Sequence, residues 1–141
     1  MASELRVNTI YDKNGDNSSS AEEIKVGRAK AWVHFDGSFA TSPFTEANGG
    51  IRASFNVSSI TNNNAGRYTV NFEISMPDAN YCSLVTGTAG NTNAGYASHD
   101  TQAFGGSGTN LGTTSGFNIR SVDGGNLNYI DHPWICAAVF R

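Results

Sequence analysis

Three places in this sequence set a carboxylate beside an imidazole: His34 with Asp36, His99 with Asp100, and Asp131 with His132. Such a pair can move protons if both groups aim at one substrate and a nucleophile or further ligand completes the set. Asp131 and His132 are immediate neighbours, so in extended chain they point to opposite faces, whereas His34 and Asp36 share one. No nucleophile accompanies them. Gly105-Gly106-Ser107-Gly108 has the wrong spacing for a G-x-S-x-G elbow. Neither a phosphate-binding loop nor a dinucleotide fingerprint occurs. Glu22 and Glu23 lie in a polar N-terminal stretch, which offers a glycosidase acid pair no cleft. Cys82 and Cys136 are 54 positions apart and lack the close spacing of a zinc site. They read as reduced core residues, with a disulfide between them as the alternative. The expectation is a protein that is not an enzyme and needs no cofactor or metal; the competing enzyme reading is a depolymerase relying on Asp36, Asp100 or Asp131.

Binding chemistry is better represented. Residues 86–116 hold 8 Gly, 7 Thr, 3 Asn and 3 Ser, punctuated by Tyr96, His99 and Phe104. A structureless stretch beyond about 12–15 residues is uncommon unless it is functional or disordered. Aromatic faces among neutral hydroxyls and amides suit a sugar, whose C–H face packs on a ring while its hydroxyls exchange hydrogen bonds. The alternative is that the three aromatics merely anchor the loop to its own body.

Composition narrows the classes further. The 141 residues carry 9 Lys+Arg and 12 Asp+Glu, for a net charge of −3. Gly, Asn, Ser and Thr supply 59 of the 141, so a neutral polar surface is expected. Charged residues make up only 15%, against about 25% in ordinary domains. The 8 Phe, 5 Tyr and 2 Trp are enough to build a core. A weakly acidic chain without a Lys/Arg cluster lacks the footprint for nucleic acid or an anionic membrane. Its apolar runs are too short for membrane insertion. MASELRVNTIYDKNG has no apolar h-region, so synthesis in the cytoplasm is expected.

Charge also divides the chain. Residues 1–28 carry 9 charged side chains, whereas residues 79–119 carry only Asp100. An appendage over 1–28 and one globular body over 29–141 follow. In the appendage, residues 5–11 alternate with Leu5, Val7, Thr9 and Tyr11 on one face, a strand; residues 12–20 read as a polar linker. Ser20 and Glu23 match a capping box ahead of one short helical turn. A lone strand needs a partner, either symmetry mates, a larger assembly or an edge of its own body.

The body has period two throughout, the mark of antiparallel strands with one buried face. Ala29, Ala31, Val33 and Phe35 oppose Lys30, Trp32 and His34. Ile51, Ala53, Phe55 and Val57 oppose Arg52, Ser54 and Asn56. Tyr68, Val70, Phe72 and Ile74 form a third run, joined to the second by a hairpin loop over 61–66. Further strands are expected at 81–86, 116–122 and 134–140. The last is almost wholly apolar, so both its faces should be covered, centrally in a sandwich or against another subunit. An all-β antiparallel sandwich results.

Several of these strings resemble the C-terminal domain of bacteriophage tail fibre proteins, particularly those of cyanophages and other marine phages. They are Lys30-Ala31-Trp32-Val33-His34-Phe35-Asp36-Gly37, the run from Ile51 to Thr61, Gly66-Arg67-Tyr68-Thr69-Val70-Asn71-Phe72 and Met76-Pro77-Asp78-Ala79-Asn80-Tyr81. Leu5-Arg6-Val7-Asn8-Thr9-Ile10-Tyr11 resembles segments preceding such domains. The similarity covers residues 1–85 and 117–120, but not 86–116.

The resemblance implies a virion protein, a homotrimer that adsorbs to a host surface polysaccharide. The stretch outside the resemblance supplies the expected contacts on its own chemistry: Tyr96, His99 and Phe104 to stack on the glycan, and Asn91, Asn93 and Asp100 to hydrogen-bond to it. Under the resemblance, Leu5, Val7, Ile10 and Tyr11 form the stem or dock to a tail, baseplate or other virion protein. Trp134, Ile135, Val139 and Phe140 form the trimer interface. Family members often carry long shafts, and this sequence has under 30 residues before its body. The alternative is a structural virion component, such as a capsid decoration or a collar or baseplate protein.

Overall fold

Alternation along Ala31–Phe35 places Ala31, Val33 and Phe35 inside and Trp32 and His34 outside. The same rule organises most of the chain in this computed structural model, which describes residues 7–15, 18–88, 95–100, 112–124 and 128–141. The elements are β1 (Thr9–Tyr11), β2 (Ser18–Ser20), α1 (Ala21–Gly27), β3 (Ala31–Phe35), β4 (Ile51–Phe55) and β5 (Val57–Asn64). They continue as β6 (Arg67–Phe72), β7 (Cys82–Thr88), β8 (Gly95–His99), β9 (Gly116–Asp123) and β10 (Trp134–Phe140). Two antiparallel sheets, ordered β4-β3-β10-β7 and β5-β6-β9-β8, pack face to face. The protein is an all-β sandwich.

Between the sheets lie Phe35, Phe44, Tyr68, Ile60, Ile119 and Ile135, all fully buried. Phe35 meets Tyr68 edge-on at 5.2 Å between ring centroids, and Phe44 lies 6.2 Å from Phe35. Burying each such side chain contributes about 1.5–3 kcal/mol. Phe44 arrives from the loop between β3 and β4. Its backbone exchanges two hydrogen bonds with Ile60 on the outer edge of β5. In the same loop, Ser42 Oγ accepts from Asn62 N, and Thr45 O accepts from Ile51 N.

The 51–57 run divides in two. A register shift between His34 and Phe35 sets Ile51 opposite Phe35 but Ala53 opposite His34. Ile51 therefore points inward while Ala53 and Phe55, expected inside, point outward. Asn56 then adopts a left-handed φ of 54°, which Asn tolerates better than most residues. The chain leaves the first sheet for the second there. The Asn56 amide donates to Lys30 O and Ile74 O and accepts from Ile74 N.

The β5–β6 hairpin is tighter than expected, because the strands run to Asn64 and resume at Arg67. Gly66 has φ 63°, and a Cβ there would sit 2.3 Å from Ser121 O; only glycine fits. Ile74 lies past the end of β6, exposed rather than in the alternating core.

Three further expectations change. In the appendage the strand covers Thr9–Tyr11, and its partner is β2, inside what read as linker. The pair forms a small sheet of its own, separate from the two sheets of the body. Ser20 caps a seven-residue helix, accepting from Glu23 N at 3.1 Å while its own N donates to the Glu23 carboxylate at 2.7 Å. The helix buries no residue. In the body, β10 is central, and Ile135 and Val139 project into the core. These two cannot form a trimer interface; Trp134 and Phe140 lie on the opposite, outer face. Finally, Cys82 and Cys136 are free, and Cys82 is exposed rather than in the core. Leu5 lies outside the described residues.

Candidate ligand-binding face

The outer face of the second sheet carries a ladder of neutral polar side chains. Asn71 Nδ2 donates to Ser59 Oγ and Thr61 Oγ1, each at 3.0 Å. Asn63 donates to Thr69 Oγ1 at 2.9 Å, and Thr69 Oγ1 donates to Asn118 Oδ1 at 2.8 Å. Strand alternation produces this surface: β6 sends Tyr68, Val70 and Phe72 inward and therefore Thr69 and Asn71 outward.

At one end of the ladder the aromatic groups appear. Tyr96 on β8 is the register partner of Val122, and Tyr129 bridges to Val122 from the other side. Directly paired residues share a face, so two tyrosines flank the buried Val122, 43% and 41% exposed. One row along, Arg67 and Arg120 stand directly opposite each other. Arg67 is held between the Tyr129 ring, 5.0 Å from its guanidinium carbon, and Asp100 at 3.3 Å. Arg120 Nε donates to Ser98 Oγ at 3.1 Å. Among the described residues the Nη groups of Arg120 take no hydrogen-bond partner. The arrangement offers two ring faces, fixed amides and hydroxyls, and one guanidinium with donors to spare.

The residues expected to bind glycan separate here. Tyr96 is on this face. Asp100 shares its side of β8 but is only 1% exposed and paired with Arg67, so it positions the arginine rather than meeting a sugar. His99 points the other way, into the sandwich, 5.4 Å from the Phe117 ring with Nδ1 2.6 Å from Ser83 Oγ. It cannot stack on a ligand from outside. Burial lowers its pKa, with Asp100 opposing. Asn91, Asn93 and Phe104 lie outside the described residues.

Sequence reasoning missed Tyr129, Arg67 and Arg120. The signal for Tyr129 was the turn-prone sequence Asp123-Gly124-Gly125-Asn126 just ahead of it. Asp123 N donates to Asn128 O, which sets Tyr129 across from Val122.

The carboxylate–imidazole pairs have structural partners. His34 and Asp36 do share a face, and Arg52 joins them, with Nη2 2.7 Å from Asp36 Oδ2 and Nη1 3.2 Å from His34 Nε2. Arginine only donates, so His34 accepts at Nε2 and is neutral. Burial and Arg52 lower its pKa, against Asp36. Arg52 also donates to Pro133 O at 2.6 Å and lies 4.8 Å over the Trp134 ring. Asp131 and His132 diverge. Asp131 accepts from Gly66 N at 2.6 Å and from the Tyr68 hydroxyl; burial and Asp131 push the Tyr68 pKa far up. His132 Nδ1 contacts Ser121 Oγ at 2.6 Å, and both side chains are buried out of reach of any substrate. No group of three or more His, Cys, Asp or Glu able to hold a metal occurs among the described residues. No helix among them is long and apolar enough to cross a membrane.

Comparison with known proteins yields no matching family model, no curated relative and no similar solved structure.

Proposed function

We propose that this chain is a receptor-binding tail fibre protein of a bacteriophage, which adsorbs to a host surface glycan through the outer face of its second sheet. The observation that carries the reading is the Tyr96–Val122–Tyr129 row beside the hydroxyl and amide ladder. Sugars present C–H faces and hydroxyls together, and this surface offers rings and neutral hydrogen-bonding groups together. The resemblance of residues 1–85 to phage fibre domains supports the same reading. Each glycan contact is weak, and a homotrimer on the virion multiplies it; linked sites raise avidity by about 10²–10⁴ where geometry allows. The exposed Val7, Ile10 and Tyr11 suit a segment that docks to a tail or baseplate protein.

The test is competition. Purified protein added to host cells should block phage adsorption, and Tyr96→Ala with Tyr129→Ala should abolish the block. Undiminished competition by that double variant removes the face from the proposal.

A second reading is a structural virion component. The apolar outer face of the first sheet favours it, because such a face suits protein contacts. Under this reading the protein is found on the particle but never competes for host cells.

A further inference from the structure

Outward positions of the first sheet fall into rows that cross all four strands. Phe55, Trp32, Ala138 and Leu84 occupy one row; Ala53, His34, Cys136 and Thr86 occupy the next. Phe55, Trp32 and Leu84 are 52%, 41% and 59% exposed. Single exposed apolar residues are ordinary, but a contiguous apolar face marks an interaction site. These two rows contain no charge. The charged groups that flank them on this side are Lys30, beyond the Trp32 row with its ammonium donating to Lys25 O, and Asp36 and Arg52, which neutralise each other at 2.7 Å.

We infer that this face is where copies of the chain associate, with the Phe55–Trp32–Ala138–Leu84 row of one copy packed against the outer sheet of another. The inference rests on the self-assembly part of the proposed function and is independent of its glycan part. Three observations select another copy as the occupant. The first is area. Strands of five, five, seven and seven residues at a rise of about 3.3 Å and a spacing of about 4.8 Å span about 380 Å² in projection. Two such faces total about 760 Å² in projection, and the relief of their side chains carries the accessible area toward the ~1,000 Å² floor of a specific contact. The second is charge: the net charge of −3 sets two copies against each other in general, but these rows place no like charges face to face. The third is shape. The small residues Cys136 and Ala138 floor a groove of about 340 Å³ between Trp32 and His34 on one side and Leu84 and Thr86 on the other. A ridge flanking such a groove is the complement that a neighbouring copy provides. A saccharide fits poorly, because the groove offers few groups besides the Thr86 hydroxyl and the His34 ring to meet its hydroxyls.

The experiment uses the full chain. Light scattering after size exclusion should give a multimer for the unmodified protein. Leu84→Glu should reduce it to a single copy with an unchanged far-ultraviolet spectrum, and Tyr96→Ser, on the other sheet, should leave it assembled. Independently of any variant, alkylation of Cys136, followed by peptide mass spectrometry, should be at least tenfold slower in the assembled protein than after dilution below the assembly concentration. That measurement decides the matter if Leu84→Glu misfolds. A single copy at every concentration overturns both this inference and the self-assembly it rests on. A multimer indifferent to Leu84→Glu, with Cys136 equally reactive throughout, overturns this inference alone and leaves self-assembly through another surface.

Discussion

Arg120 and the two tyrosines of the second sheet act as individual side chains, and each has its own expected effect. Among the described residues the two Nη groups of Arg120 take no partner, so a receptor bearing a carboxylate or phosphate would be drawn to it. Adsorption should then weaken as salt rises toward 1 M, where screening shortens to about 3 Å, and Arg120→Gln should flatten that dependence. Adsorption indifferent to salt points to a neutral glycan held by Tyr96 and Tyr129. Imidazoles give a second prediction. Burial lowers the pKa of His99 and His132, so the folded state resists protonation while the unfolded chain accepts protons below about 6.5. Stability is therefore full above that value and declines as pH falls through it. Thermal unfolding followed at pH 7.5 and pH 5.5 should show the lower melting temperature in acid. His132→Gln, which can still meet Ser121, should narrow the gap; an identical gap would assign the acid sensitivity elsewhere.

Among the elements, strands with clean alternation were readable and those bent by local geometry were not. Residues Ala31–Phe35 and Trp134–Phe140 appear where their patterns place them. Phe55 was misplaced because a one-residue register shift reverses every later side chain, and composition does not encode such a shift. β8 was invisible because Gly95-Tyr96-Ala97-Ser98-His99 presents one small inward residue, Ala97, and one polar one, His99. The helix at Ala21–Gly27 was legible only through its cap, since none of its residues is buried. Tyr96 was found because an aromatic in a polar stretch stands out. Arg67 and Arg120 looked like ordinary strand charges until pairing set them side by side. Ser20→Ala should cost the helix about 1 kcal/mol, visible as faster amide exchange confined to residues 21–27. Gly66→Ala should be harsher, since it combines a left-handed φ with a Cβ driven into Ser121 O. A loss of about 3 kcal/mol in denaturant unfolding is expected, and a loss under 1 kcal/mol would mean that the turn can rearrange.

Taken whole, the molecule divides its work by surface: a neutral polar face with two tyrosines on one sheet, an apolar face on the other. Every member of the core cluster comes from Ala31 onward, so removing residues 1–28 should leave a body that unfolds cooperatively within a few degrees of the full chain. A molten or insoluble truncation would show that the N-terminal hairpin and helix are needed to close the fold. One feature near the β4–β5 corner bears on how such a body behaves when crowded. The loop carrying Ser42, Phe44 and Thr45 occupies main-chain positions along the rims of both β4 and β5. An incoming extended segment would have to peel that loop away before it could zip onto those rims. On that flank the sandwich is insulated against runaway fibril-like growth, and copies held close together there stay discrete bodies instead of fusing into one continuous ribbon.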